Sequence, residues 1–175
     1  MLIVFGGLPG TGKSTIAKAL VANNAFAYVR VDEIENALAL KSEPKREVGA
    51  KGYQVAFAVS LSNFRLGNCV VADSVNPVRA SRDGGRHVAE QAGVPIVEVE
   101  CVCSDETEHR KRVETRVSDP TGWVLPSWAH VRSREYQPWD RNPLVIDTAH
   151  TSPAEAVRTI DTRIAAAQVT APPSS

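Results

Sequence analysis

Three features that often reveal a protein's class are scarce in this sequence: cysteine, net charge and long hydrophobic runs. Its three cysteines lie in valine-rich stretches without the spacing of a zinc ribbon or a thiol oxidoreductase, so we expect buried, reduced thiols in a cytoplasmic protein. The 20 basic and 20 acidic residues cancel, which argues against a dedicated binder of long nucleic acids or anionic membranes. No run approaches the roughly 20 apolar residues of a membrane span, and the short N-terminal MLIVF predicts a strand rather than a signal peptide.

What the sequence has instead is an alternation of short apolar runs and longer amphipathic stretches. In 175 residues, enough for one domain, five runs rich in β-branched residues predict strands at 2–5, 27–31, 69–75, 95–103 and 143–148. The stretches between them predict helices over 13–22, 78–92, 104–116, 127–139 and 152–168, with broken helical pieces over 33–66. This alternation predicts a three-layer α/β fold with a five-stranded parallel sheet, which binds ligands beyond the carboxyl ends of its strands.

The most specific motif follows the first predicted strand. The segment GLPGTGKS fits the nucleotide-binding pattern G-x-x-x-x-G-K-[ST] in full, between a strand and a helix. Its glycines let backbone N–H groups surround a phosphate, and the helix N-terminus adds its positive end. We expect Lys13 to reach the β- and γ-phosphates of ATP, Ser14 to bind Mg²⁺ and Thr15 to contact the α-phosphate. The candidate nucleotide-binding residues are Gly7, Leu8, Pro9, Gly10, Thr11, Gly12, Lys13, Ser14 and Thr15.

Two aspartates close neighbouring predicted strands. Asp73 ends VVAD, so it is a candidate to hold Mg²⁺ or its waters opposite Ser14, with a simple strand-end cap as the alternative. Asp32 ends the preceding strand and should face the same crevice. There it would accept a proton from an attacking hydroxyl or share the metal shell, and an N-cap of the next helix is compatible with either role.

A cluster of cations follows the fourth predicted strand, in EHRKRVETR. Arg112 and Arg116 are four residues apart and are expected to share one helix face, where they would stabilise charge during phosphoryl transfer. The alternative is a solvated face with salt bridges. The adjoining loop 118–126 contains proline and glycine and is typical of a movable lid, which favours the catalytic interpretation.

Five segments in this order carry a resemblance to a known family: GLPGTGKSTIAKAL, VRVDEIENAL, GNCVVADSVNPVRASR, EVECVCSDETEHRKRVETR and REYQPWDRNPLVIDT. Over residues 1–165 the chain resembles the small bacterial P-loop kinase-like proteins described as AAA-family ATPase or kinase-like. These are similar to the kinase domain of polynucleotide 5′-hydroxyl kinase and, more distantly, to gluconate, shikimate and adenylylsulfate kinases. GTPases, AAA+ motors and ABC-type ATPases are not favoured, because the guanine-reading, acidic-pair and second glycine signatures that mark them do not occur.

The resemblance implies a specific arrangement. The strand order would be 2-3-1-4-5, with a helical substrate-side insert at 33–66 and an arginine lid at 104–126. Apart from the resemblance, we expect one domain over 1–168 and a disordered tail at 169–175. Asp32 would match the general base, and Asp73 the carboxylate beneath the lysine and metal. Arg112 and Arg116 would be the lid arginines, one of them covering an adenine that lies against the loop after VIDT.

Two departures from the polynucleotide-kinase pattern bear on the acceptor. D-x-I-R is replaced by an acid at its last position, Glu35, and D-T-N becomes the longer Asp73-Ser74-Val75-Asn76. We therefore expect transfer of the γ-phosphoryl of Mg-ATP to a hydroxyl of a small molecule, and Glu35 would suit an acceptor with hydroxyls or an amine. The alternatives are a polynucleotide or nucleoside 5′-hydroxyl kinase and a regulatory module that binds ATP without transferring phosphate.

Overall fold

A computed structural model describes residues 1–40, 50–117 and 125–169. Its five strands form one parallel sheet in the order β2-β3-β1-β4-β5, which confirms the predicted fold and strand order. The predicted strands are all present, each shifted by a residue or two at its ends. They are β1 (Leu2–Gly6), β2 (Ala27–Arg30), β3 (Val70–Asp73), β4 (Ile96–Val102) and β5 (Leu144–Asp147).

Helices cover both faces of the sheet, because alternate residues of the central strands point in opposite directions. In β1, Ile3 and Phe5 join a core beneath α1 and α7, whereas Leu2 and Val4 join a second core with residues of α3 and α4. The described helices are α1 (Lys13–Asn23), α2 (Val31–Leu40), α3 (Lys51–Arg65), α4 (Arg79–Ala92), α5 (Glu106–Thr115), α6 (Trp128–Ser133) and α7 (Pro153–Val169).

Three local expectations are wrong. Strand β2 ends at Arg30, so Asp32 lies in the first turn of α2 rather than at a strand end. Helix α5 ends at Thr115, and Arg116 has extended backbone angles (φ −65°, ψ 141°), so Arg112 and Arg116 do not share a helix face. The predicted helix 127–139 stops at Ser133.

The segment after α6 leaves the helix because its backbone polar groups bond elsewhere. The Gln137 N–H donates to the Pro77 carbonyl (2.8 Å), and the carbonyls of Gln137 and Pro138 accept from the guanidinium of Arg82 (2.6 and 2.9 Å). Arg82 is 1% exposed and lies against the rings of Tyr136 and Trp139. Tyr136 and Trp139 therefore pack against this buried guanidinium.

Some expectations concern residues outside the described ranges. They are residues 41–49 of the predicted helical pieces, most of the loop 118–126, and the tail beyond Val169. Within the described ranges, Cys101 is buried, Cys69 and Cys103 are half-buried, and all three are free. No helix in those ranges is long and apolar enough to cross a membrane.

Candidate active site

A cavity of about 990 Å³ lies beside the glycine loop, between that loop, α2 and the segments at the ends of α5 and α6. It brings together all four candidate catalytic residues with most of the glycine loop. They are Lys13 at the start of α1, Asp32 on α2, Arg112 on α5 and Arg116 directly after α5. Its lining includes Pro9, Gly10, Gly12, Lys13, Ser14 and Thr15, whereas Gly7, Leu8 and Thr11 are not among its walls.

The glycine loop is folded for anion binding. Gly10 and Gly12 have φ values of 88° and 82°, which side-chain-bearing residues rarely adopt. Gly12 stands at the N-cap of α1 with no side-chain hydrogen bond to the helix, and the first turn of α1 contains no acidic residue. The N–H groups at this end of α1 are therefore available to a phosphate, unlike those of α5, where the Asp105 side chain accepts from the Glu108 N–H.

The lysine of the loop is a buried part of the cavity wall. Lys13 is 5% exposed, and no hydrogen bond or ion pair joins its ammonium to another residue of the described ranges. A buried, unpaired ammonium is unfavourable unless an anion completes its surroundings. The position of Lys13 therefore indicates a site for an anionic ligand.

Helix α5 supports the loop from one side. The His109 ring places Nε2 2.9 Å from the Pro9 carbonyl, and its edge meets the Trp128 ring at a centroid distance of 5.1 Å. A Cβ added to Gly10 would lie 2.5 Å from Cγ2 of Val113. Glycine at position 10 therefore permits both the close contact between loop and helix and the positive φ.

Thr148, directly after β5, connects four parts of the site. Its Oγ1 lies 2.9 Å from the Thr11 carbonyl and 3.0 Å from the Val102 carbonyl, and it accepts a hydrogen bond from Nη1 of Arg112 (2.9 Å). Arg112 also donates Nη2 to the Thr148 carbonyl (3.1 Å) and Nε to Glu108 (2.8 Å). Arg112 is thus fixed on the loop after β5, the side on which the resemblance expects the adenine.

Arg116 occupies a different part of the cavity. Its Nε and Nη2 are buried and have no hydrogen-bond partner within the described ranges. Burial holds the pKa of its guanidinium below the ordinary value, while the charge of Asp32 acts in the opposite direction. Two buried donors near the candidate base are suited to an incoming anion, because no acceptor in the described ranges satisfies them.

Asp73 lies at the end of β3, in register with Phe5 of β1 and Arg30 of β2. It is 1% exposed; its Oδ2 accepts from the Tyr28 hydroxyl (2.7 Å), and its Oδ1 has no partner in the described part of the chain. Burial and the Asp73 carboxylate raise the pKa of Tyr28, so this hydroxyl stays a donor. The orphaned Oδ1 fits a role in holding Mg²⁺ or one of its waters, with Ser14 as the second candidate ligand.

A stripe on α2 forms another wall of the cavity. Asp32, Glu35, Asn36 and Ala39 are spaced i, i+3, i+4 and i+7, so they lie on one side of the helix, and all four line the cavity. Burial and the neighbouring charge of Asp32 raise the pKa of Glu35 to about 7, although Arg134 lowers it. This wall offers carboxylates and an amide to whatever binds beside the phosphates.

Sequence reasoning did not identify three residues that shape the site: Thr148, Tyr28 and Arg134. Thr148 immediately follows Asp147 at the end of β5. Because parallel sheets bind ligands beyond the carboxyl ends of their strands, its position was the signal that could have identified it. Tyr28 lies within a strand and Arg134 after a short helix, and neither belongs to a motif. Their places in the site follow from the sheet order, which sets β2 beside β3, and from the chain leaving α6 at Ser133.

The family model described as "AAA domain" matches residues 2–138. The chain belongs to this family. Adenylyl-sulfate kinase of Myxococcus xanthus (strain DK1622) is 34% identical over 97 residues, a match that covers 53% of this chain and 52% of that protein. The chain thus spans about half the length of this curated relative.

Solved kinase structures share the fold. The adenylylsulfate (APS) kinase CysC of Mycobacterium tuberculosis, in complex with AMPPNP and APS, superposes with a TM-score of 0.66 at 22% identity, covering 93% of this chain and 96% of that one. A gluconokinase of Sinorhizobium meliloti 1021 gives a TM-score of 0.62 at 20% identity, covering 95% and 93%. At these identities the likeness shows a P-loop kinase fold.

Proposed function

We propose that the protein is an ATP-dependent phosphotransferase that moves the γ-phosphoryl group of Mg-ATP to a hydroxyl of a small molecule. One observation carries this proposal. A buried lysine of a complete glycine loop, a carboxylate on α2 and an arginine with buried, unpaired donors line a single cavity: Lys13, Asp32 and Arg116. A protein that only binds nucleotide needs the first of these and has no use for the other two.

The nucleotide half of the cavity would hold the triphosphate. Lys13 would contact the β- and γ-phosphates, and the N–H groups from Gly10 to Thr15 would surround the phosphates with the N-terminus of α1 behind them. Ser14 and Asp73 would hold Mg²⁺, and the orphaned Oδ1 of Asp73 supports this choice. When bound, Mg²⁺ neutralises phosphate charge and orients the transferring group.

The two lid arginines would have different roles. Arg112, tied to Thr148 and Glu108, would form one side of the adenine pocket and hold the loop after β5 in place. Arg116, near Asp32 and without a partner in the described ranges, would bind the transferring phosphoryl group. Charge that develops on the equatorial oxygens would be stabilised there by Lys13 and Arg116 together.

Asp32 would orient the acceptor hydroxyl and accept its proton as the bond to phosphorus forms. Its position in the first turn of α2 makes it part of the cavity lining. Adenylyl-sulfate kinase and gluconokinase, by their names, phosphorylate small molecules, which supports a small acceptor here as well. The acidic stripe on α2 makes a polynucleotide acceptor the less favoured alternative, because a polyanion would be repelled there.

The test is ADP release from Mg-ATP over a panel of hydroxyl acceptors, with Lys13→Ala as the blank. The panel holds sugars, nucleosides, aminoglycosides, chloramphenicol-like alcohols and 5′-hydroxyl oligonucleotides. An acceptor that raises release well above the rate in water alone supports the kinase and names its class. Clear ATP binding with no response to any acceptor would favour the regulatory module instead.

A further inference from the structure

The acceptor half of the cavity has features that select among small molecules. The stripe of Asp32, Glu35, Asn36 and Ala39 runs along α2 for about 10 Å at 1.5 Å per residue. Its first three side chains can hydrogen-bond and its last is small, so the cavity continues past the reacting end. A simple alcohol would leave most of this surface without a partner.

Gly52 leaves the space that the Glu35 side chain occupies. A Cβ on Gly52, at the start of α3, would lie 2.3 Å from Cγ of Glu35 and 3.0 Å from its Oε1. Any other residue at position 52 would push the Glu35 side chain away. No donor within the described ranges bonds to the Glu35 carboxylate, so a half-buried acceptor group is presented to the cavity without a partner.

Charges of both signs line the acceptor half of the cavity. With Arg116 assigned to the transferring phosphoryl group, two arginines and two carboxylates remain there: Arg30, Arg134, Asp32 and Glu35. Their formal charges cancel, so this lining gives neither an ammonium nor a phosphate a net electrostatic advantage. A neutral molecule with several hydroxyls can bond to both the arginines and the carboxylates, since each hydroxyl donates once and accepts twice.

We propose that the acceptor is a neutral polyhydroxylated compound, in which one hydroxyl lies at Asp32 for phosphorylation and a second is bound by Glu35 about one helical turn away. This inference rests on the proposed phosphotransferase function. The buried Lys13, which has no partner in the described ranges, lines the same cavity, so the triphosphate and the acceptor would share it. Glu35 is then a specificity-determining residue for the acceptor.

Binding of acceptors to the full chain with a non-hydrolysable ATP analogue tests the inference apart from turnover. The probes are sorbitol and myo-inositol as neutral polyols, glucosamine as an amine, 1-propanol as a mono-alcohol and a 5′-hydroxyl trinucleotide as a polyanion, measured by calorimetry. We expect a polyol to bind most tightly. Tighter binding of the amine, the alcohol or the trinucleotide would overturn the inference, as would a failure of both polyols to bind.

Variants at position 35 separate a hydrogen bond from an ion pair. For a neutral polyol, Glu35→Gln keeps a hydrogen-bonding group and should change affinity by about threefold or less, whereas Glu35→Leu should weaken it about tenfold to a hundredfold. Equal losses in both variants would indicate a charged acceptor and contradict the inference. Glu90→Gln, which removes the same charge from an exposed side chain of α4 outside the cavity lining, is the matched control.

Gly52→Ala provides a second, independent variant. Alanine favours helix α3 over glycine, so stability should be kept, while the displaced Glu35 side chain should weaken polyol binding about tenfold. Unchanged polyol affinity in this variant would show that Glu35 does not contact the acceptor. The kinase proposal is judged separately, since ADP release driven by any other acceptor would uphold it while refuting the polyol.

Discussion

Replacing Thr148 with valine should weaken both the fold and ATP binding, because one hydroxyl serves three partners. Valine has nearly the same shape, so the loss is confined to hydrogen bonds. The hydroxyl donates one neutral hydrogen bond, to either the Thr11 or the Val102 carbonyl, which contributes about 1 kcal/mol. It also accepts one hydrogen bond from the charged Arg112, which contributes about 2 kcal/mol. Since Thr148 is 9% exposed, water cannot replace them, and the free energy of unfolding should fall by about 3 kcal/mol.

Urea unfolding of both proteins measures this difference directly. The matched control is Thr162→Val on the exposed side of α7, where the hydroxyl bonds only to the Arg158 carbonyl (3.0 Å) and the loss should stay below about 0.5 kcal/mol. ATP affinity, measured by calorimetry, should fall in Thr148→Val alone, because Thr11 and Arg112 lose their shared anchor. A Thr148→Val protein within about 0.5 kcal/mol of the parent would refute the linking role of Thr148.

Two further predictions follow from the loop and from Glu35. Gly10→Ala should lose more stability than Gly93→Ala and should also lose ATP affinity. Both glycines have positive φ (88° and 61°), but only at Gly10 would an added Cβ lie 2.5 Å from Val113. Equal losses of stability in urea unfolding would contradict this. The pKa of Glu35 is raised from 4.5 to about 7, so the folded chain holds a proton that the unfolded chain has released, and stability should fall as pH rises between those values. Glu35→Gln should flatten that part of the stability profile, and an identical profile in the variant would show that another group titrates there.

The sequence predicts the fold of this chain because its strands are apolar on both faces. Runs such as LIVF and CVVAD do not alternate between apolar and polar residues, and turn residues mark their ends. The glycine loop is predictable for a related reason, since its function requires glycines and a lysine at fixed spacing between a strand and a helix. Local chemistry alone determines both features.

The remaining parts of the site depend on tertiary contacts. Arg116 directly follows the last residue of α5 and has extended backbone angles, and no cap residue in the sequence signals the end of the helix. Tyr28 reaches Asp73 only because β2 pairs with β3 across a crossover. The fit between Gly52 and Glu35 joins two helices separated by residues 41–50. Periodicity cannot reveal such contacts, because they depend on how elements pack rather than on how each one forms.

The most direct test of the central claim is acceptor-dependent ADP release by Asp32→Asn, compared with the parent under the same acceptor and Mg-ATP. Asparagine keeps the shape of the side chain and removes the base, so turnover should fall about a hundredfold or more. ATP affinity, measured in parallel, should stay within about threefold of the parent, since Asp32 lies on α2 and is not part of the glycine loop. An Asp32→Asn protein that phosphorylates the acceptor at the parental rate would contradict the assignment of Asp32 as the base of a kinase.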